Sequence, residues 1–135
     1  MVILVYGAPC SGKSAYVDKC LKEEDVVCDR DRICGALSNG DIHDADLDVQ
    51  ELAGTLWERL LEEVRRGNAG AGDVYVTSIA NTPEQLKLDA EKAGADRLVY
   101  IWETEDVCLE RAKKSRPSHF QYLIQEWFRT CRLEV

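Results

Sequence analysis

Val2-Ile3-Leu4-Val5-Tyr6-Gly7-Ala8-Pro9-Cys10-Ser11-Gly12-Lys13-Ser14 is the stretch from which the rest of the chain can be read. Its first five residues are β-branched, leucine or aromatic with no polar interruption, the composition of a strand covered on both faces of a parallel sheet. Gly7 ends the run, and Gly7 to Ser14 then follow the spacing of glycine, any four residues, Gly-Lys-Ser. A strand before and a helix after give that spacing its meaning: the glycines let the backbone curl so that its N–H groups face phosphate oxygens at the positive end of a helix. A chance match in a chain of this length is on the order of one in a hundred from average residue usage. Gly7, Ala8, Pro9, Cys10, Ser11, Gly12, Lys13 and Ser14 are therefore the candidate nucleotide-binding residues, Lys13 reaching the β- and γ-phosphates of ATP and Ser14 holding Mg²⁺.

Outward from this loop, helix and strand signals alternate as βαβαβαβα. Helix one runs from near Gly12 to about Leu21, and strand two covers Asp25 to Cys28. Arg30 to Leu37 reads as one or two helical turns, and Asn39-Gly40 as a turn. Asp41 to Asp48 holds four aspartates, and beyond it Val49, Leu52, Ala53, Leu56, Trp57, Leu60 and Val64 recur at helical spacing. Asp46 or Asp48 is placed to cap that helix, which Gly67-Asn68 stops. The aspartates do not make a calcium loop, because Val49 and Thr55 stand where glycine and glutamate are required counting from Asp44.

Strand three is read over Val74 to Ile79. Thr82-Pro83-Glu84-Gln85 opens the next helix as a capping box with proline first, and Gly94 closes it. Strand four covers Leu98 to Trp102, Thr104 caps a helix to about Lys114, and Arg116-Pro117 breaks the chain. Ser118-His119-Phe120-Gln121 reads as another capping box before a last helix that ends near Arg132. Four short strands between helices predict an α/β fold with a parallel sheet, flanked by helices and joined by right-handed crossovers, with ligands at the strand carboxyl ends.

Composition narrows the setting. The 135 residues, 45% hydrophobic, suit one nucleotide-binding domain over 1–135 that folds without staples. Met1 to Tyr6 is too short to span a membrane and lacks the charged flank of a secretion signal, so a cytoplasmic location is expected. The six cysteines are dispersed with no Cys-x-x-Cys and are read as reduced thiols. A net charge of −8 argues against a purely electrostatic grip on duplex DNA or an anionic membrane. Residues 111–135 nevertheless carry six Lys or Arg against two Glu, the place for a polyanion.

Phosphoryl transfer needs a carboxylate for the nucleophile's proton and cations for the charge on the transferred group. Strand two ends in Cys28-Asp29-Arg30-Asp31-Arg32, the richest polar cluster at the rim of the phosphate loop. Asp31 is the candidate base, although either aspartate can instead cap the following helix. Strand three has no aspartate at its end, and Thr77 or Ser78 is left to orient a metal-bound water or simply to pack. Arg111 and Arg116, after strand four, are candidate lid cations. Lys113 and Lys114 fit a solvated helix face, and Glu103 fits the acidic start of that helix. Cys10, at a helix amino end, is either an activated thiol or a small filler. Tyr122, Trp127 and Phe128 lie at the spacing of a core or interface face more than of a base-stacking platform.

These residues resemble the P-loop kinase branch that includes 5′-polynucleotide kinases, adenylate-kinase-like nucleotide kinases and small bacteriophage-encoded ATP-binding proteins. The resemblance runs over nearly the whole chain, and Gly7 to Ser14 is its most specific piece. Arg30-Asp31 looks like the strand-two Arg-Asp pair whose aspartate is the general base in polynucleotide kinases. Asn81-Thr82-Pro83-Glu84 is similar to the family's helix start after strand three, and Arg111 and Arg116 look like its two lid arginines, the second displaced by one position. Cys34 stands where the family has an acceptor-binding arginine, and Ser78 where it has an aspartate. The resemblance implies a four-stranded sheet in the order 2-3-1-4. It also implies a Mg²⁺- and ATP-dependent phosphotransferase acting on a nucleic-acid 5′ end or a small nucleotide. The alternative is an ATP-binding switch or weak ATPase that acts on a protein partner.

Overall fold

A computed structural model describes residues 1–39 and 43–134. Gly40, half of the expected Asn39-Gly40 turn, and Asp41 lie outside the described residues. The elements run β1 (Val2–Tyr6), α1 (Lys13–Cys20), β2 (Val26–Cys28), α2 (Arg30–Leu37), α3 (Leu47–Arg65), β3 (Val74–Ser78), α4 (Pro83–Ala93), β4 (Arg97–Tyr100), α5 (Glu105–Ser115) and α6 (His119–Thr130). The sheet has four strands in the order β2-β3-β1-β4. Every pairing is parallel, with Val2 opposite Val74, Val26 opposite Val74 and Ile3 opposite Arg97. The α/β class, the parallel sheet and the 2-3-1-4 order are as the sequence and its resemblance implied.

Alternation along β1 sends Leu4 to one face and Ile3 and Val5 to the other. Leu4, with Val74, Val76 and Cys28, packs under Trp57, Leu61 and Val64 of α3 and Ala93 of α4. Ile3, Val5 and Tyr75 pack against Val17 of α1. A third apolar cluster joins Ala8 of the loop to Cys108 and Ala112 of α5 and Ile124 and Trp127 of α6. Full burial of each large side chain is worth about 1.5–3 kcal/mol, so the loop after β1 is held by the same apolar burial that seats α5 and α6.

Several boundaries differ from the sequence reading for local reasons. Strand β2 starts at Val26 because Asp25 pins a turn, accepting from the Lys22 N–H at 2.8 Å and the Asp73 N–H at 2.9 Å. Strand β3 stops at Ser78 and β4 at Tyr100, although the Ile101 N–H still donates to the Tyr6 carbonyl at 2.9 Å. Thr82 and Thr104 cap as expected, accepting from the N–H groups of Gln85 and Val107. The box at Ser118 does not form. That residue has helical backbone angles, so it already lies in the first turn, and its hydroxyl caps nothing. Asp46 sits at the cap position of α3 without a side-chain bond. Gln50 stitches that end instead, its Nε2 donating to the Ala45 carbonyl at 2.6 Å. All six cysteines are free thiols.

Candidate functional site

The loop between β1 and α1 lies at the carboxyl end of the central strand β1. Its amino end is tied to the neighbouring strand by the Gly7 N–H, which donates to the Ser78 carbonyl at 3.2 Å. A Cβ on Gly7 would run into the Ile101 carbonyl oxygen and stand 2.9 Å from Ser11 Oγ, so only glycine lets the chain turn this close to β4. Cys10 takes the left-handed conformation with φ 64° and Gly12 follows at φ 109°. Helix α1 begins with no side-chain cap and no acid in its first turn, which leaves its positive end facing the loop. Ser11 is buried, and its Oγ has no hydrogen-bond partner among the described residues. Ser14, the expected Mg²⁺ ligand, is exposed on the first turn.

Lys13 folds back over the loop, its Nζ donating to the carbonyls of Gly7 at 2.9 Å and Ala8 at 2.7 Å. Burial lowers its pKa to about 8, against the opposing pull of the Asp29 carboxylate. An ammonium destabilised in this way gains from an arriving anion, which adds to the counter-charge of Asp29. Cys10 is not the activated thiol the sequence allowed. Burial pushes it up, outweighing Arg116, Lys13 and Arg111.

The cluster after β2 divides its labour. Asp29 is the cap, its Oδ1 accepting from the N–H groups of Asp31 at 2.8 Å and Arg32 at 3.3 Å. Asp31 is thereby free of capping duty. Its carboxyl is pushed up by partial burial and by the like charge of Asp29, while His43, Arg116 and Lys13 pull it down. The Lys13 and Arg116 charges thus lie within electrostatic range of the Asp31 carboxyl. The arginines on either side of Asp31 are engaged elsewhere. Arg32 pairs with Asp18 of α1 at 3.0 Å. Arg30 crosses α3, donating to the Gln50 carbonyl at 3.3 Å over Gly54, where a Cβ would stand 2.6 Å from the guanidinium. Cys34 is buried within α2.

From the other side, Arg111 of α5 reaches the loop itself. Its Nη1 donates to the Cys10 carbonyl at 3.1 Å, and Nη2 lies 3.5 Å from the Glu103 carboxylate. Glu103 thus positions an arginine as well as preceding α5. Arg116 hydrogen-bonds Ser115 and lies 5.9 Å from the centre of the Phe120 ring. Lys114 pairs with Glu110 at 3.7 Å on a solvated face.

Two residues of the site were missed by the sequence reading. His43, just before α3, places Nδ1 3.4 Å from Asp31 Oδ2. Asp89 of α4 is buried and accepts from Ser78 Oγ at 2.7 Å and from Gln85 Nε2 at 2.9 Å. Since Ser78 Oγ also accepts from the Ala80 N–H at 3.0 Å, its hydroxyl is committed to the β3–α4 corner and not to a water in the site. The signal for Asp89 was available: Leu86, Asp89, Ala90 and Ala93 share one helical face, and a carboxylate among them requires a partner. Asn81 also turns out to be structural, its Nδ2 holding the Trp127 carbonyl at 3.0 Å and Thr130 Oγ1 at 2.7 Å. Trp127 and Phe128 pack into the α5–α6 cluster, while Tyr122 is exposed.

Among solved structures, the chain is similar to one from the Pnkp1/Rnl/Hen1 RNA repair complex, with a TM-score of 0.64 at 12% identity over 95% of this chain and 45% of that one. A second structure of the Pnkp1/Rnl/Hen1 complex gives 0.58 at 15% identity, over 82% of this chain and 38% of that one. A protein of Chloroflexus aurantiacus J-10-fl, described provisionally as a kinase, gives 0.57 at 16% identity over 91% and 73%. The chain shares its fold with these structures. The chain spans less than half the length of either structure from the Pnkp1/Rnl/Hen1 complex that it resembles. No family model matches the sequence, and no curated protein matches it. No helix among the described residues is long and apolar enough to cross a membrane.

Proposed function

We propose that the protein is a Mg²⁺-dependent phosphotransferase that moves the γ-phosphate of ATP to a nucleic-acid 5′ end or a small nucleotide. The observation that carries the reading is the loop before the uncapped α1, with the Lys13 ammonium folded onto its Gly7 and Ala8 carbonyls and Arg111 on its Cys10 carbonyl. The uncapped α1 end, the exposed Ser14 and the anion-seeking Lys13 fit a triphosphate with its metal. Gly7, Ala8, Pro9, Cys10, Ser11 and Gly12 would cradle the phosphates, and Ser14 would hold Mg²⁺. Bound Mg-ATP supplies the electrophilic phosphorus and a neutralised leaving group. Asp31 accepts the proton of the acceptor hydroxyl, and its upward-shifted carboxyl is a stronger base for that step than an ordinary aspartate. Lys13, Arg111 and Arg116 offset the charge that spreads over the transferred group. The fold-level likeness to a component of an RNA repair complex supports a polynucleotide acceptor, as does the basic balance of residues 111–135.

The test is incubation with Mg²⁺ and γ-labelled ATP beside 5′-hydroxyl oligonucleotides, nucleosides and nucleoside monophosphates, with Lys13→Ala as the blank. Label is expected on one acceptor class. Asp31→Asn should lower transfer by about 10²–10⁴-fold, as loss of a positioned base does, and leave ATP binding intact. Label released only as free phosphate would refute transfer. It would favour instead an ATP-binding switch or weak ATPase with a protein partner, a reading supported by the burial of Cys34 at the place of the acceptor arginine.

A further inference from the structure

His43 precedes α3 and stands between two parts of the site that are far apart in the chain. On one side its Nδ1 is 3.4 Å from Asp31 Oδ2 on α2. On the other its ring meets Phe120 at the start of α6 edge-on, with centroids 5.8 Å apart. The same Phe120 ring lies 5.9 Å from the Arg116 guanidinium and 5.1 Å from the His119 ring. The His43 side chain is only 16% exposed, so its place is set by packing, whereas 53% of the Asp31 side chain meets solvent. A packed imidazole beside a half-exposed carboxylate restricts the rotation of the carboxylate more than solvent would.

We infer that His43 is a positioning residue for Asp31, holding Oδ2 so that Oδ1 faces the acceptor, and that Phe120 backs it while lying against Arg116. This rests on the reading of Asp31 as the base. The separation is long for a hydrogen bond, so the link acts chiefly as an ion pair when the imidazole is protonated. The charged groups around Asp31 are Asp29 on β2's carboxyl side, Lys13 from the loop and Arg116 from the end of α5. Around His43 stand Asp31 and its chain neighbour Asp44, with Arg116 and His119 beyond Phe120. Asp29 opposes ionisation of Asp31, and His43, Arg116 and Lys13 favour it. Removing His43 therefore makes Asp31 harder to ionise and leaves the base protonated over a wider acid range.

The experiment is an NMR titration of isotope-labelled aspartate carboxyls in the full chain, with Asp31→Asn to assign the resonance. His43→Leu removes the imidazole, and His43→Asn keeps a polar group there without the charge. The same proteins are assayed for label transfer from γ-labelled ATP to a 5′-hydroxyl oligonucleotide across pH. His43→Leu should move the Asp31 midpoint upward and lower transfer on the acid limb by roughly fivefold, the factor that an interaction of about 1 kcal/mol commands. His43→Asn, which cannot carry the charge, should recover little of either. An unmoved Asp31 midpoint and an unchanged acid limb in a folded His43→Leu protein would overturn the inference. A wild-type protein that transfers no label, yet shows the midpoint shift, would refute the phosphotransfer reading and leave the His43–Asp31 coupling standing.

Discussion

Lys13 makes the stability of the ligand-free protein depend on pH in a direction opposite to that of its tyrosines and thiols. In the folded protein its ammonium titrates near 8, against an ordinary value of 10.5. Between those two values the unfolded chain holds a proton that the folded chain has released, so stability rises with pH across that window. Below it both states are charged, and the cost of burying the ammonium weighs fully on the fold. With 1.36 kcal/mol for each pH unit, the displacement from 10.5 to about 8 corresponds to at most about 3 kcal/mol. Cys108, pushed up to about 11, and Tyr100, pushed up to about 12, act the other way in alkaline solution. Tyr100 is shared by a Lys13→Met variant and cancels in the difference, whereas Cys108, on which the Lys13 charge acts, cancels only in part. Urea unfolding followed by tryptophan fluorescence, at several pH values from neutral to about 10, gives that difference directly. The wild type should gain on Lys13→Met as pH rises, and saturating Mg-ATP should flatten the gain by restoring a counter-charge to the ammonium. Parallel stability curves for the two proteins would refute the buried-ammonium account.

Other perturbations read other parts of the site. Gly7→Ala should destabilise the fold by about 3 kcal/mol, because its Cβ meets the Ile101 backbone and not a movable side chain. It should also abolish ATP binding, which calorimetry would report beside the melting temperature. Ser78→Ala leaves buried Asp89 and the Ala80 N–H without their shared hydroxyl and should cost about 1–3 kcal/mol by chemical denaturation. Ser78→Asp should cost more still, since it sets a second carboxylate against Asp89. Asn81→Ala removes two bonds to α6. It should cost about 1–2 kcal/mol and quicken proteolysis within 119–134.

What could be read from the sequence is what local spacing encodes. Val2–Tyr6 is an apolar strand whatever surrounds it, and the glycines and lysine of 7–14 declare a loop before a helix. Thr82 and Thr104 declare caps because their partners lie three residues on. The order of the strands came through the family resemblance and not from any spacing. Contacts between distant segments were illegible: Ser78 with Asp89, Asp31 with His43, and Arg30 with the backbone over Gly54. Ser118 misled for a different reason. A capping box needs an extended first residue, and the chain after Pro117 is already helical. For Asp29 and Asp31 the pattern allowed either to cap, and the extended backbone at Asp29 settles which one does.

The C-terminal helices carry a mechanical consequence. Helix α5 is anchored covalently through β4, and α6 is fastened at the far end of the pair. Trp127 Nε1 donates to the Ile79 carbonyl at 2.7 Å, Asn81 grips the last turn, and the Arg132 N–H donates to the Asn81 carbonyl at 2.8 Å. A strap tied at both ends does not swing like a door. Under the proposed phosphotransfer, Arg111 and Arg116 would meet the phosphates by rotation of their own side chains, on the timescale of rotamer exchange, while the backbone that carries them stays buckled to the β3–α4 corner.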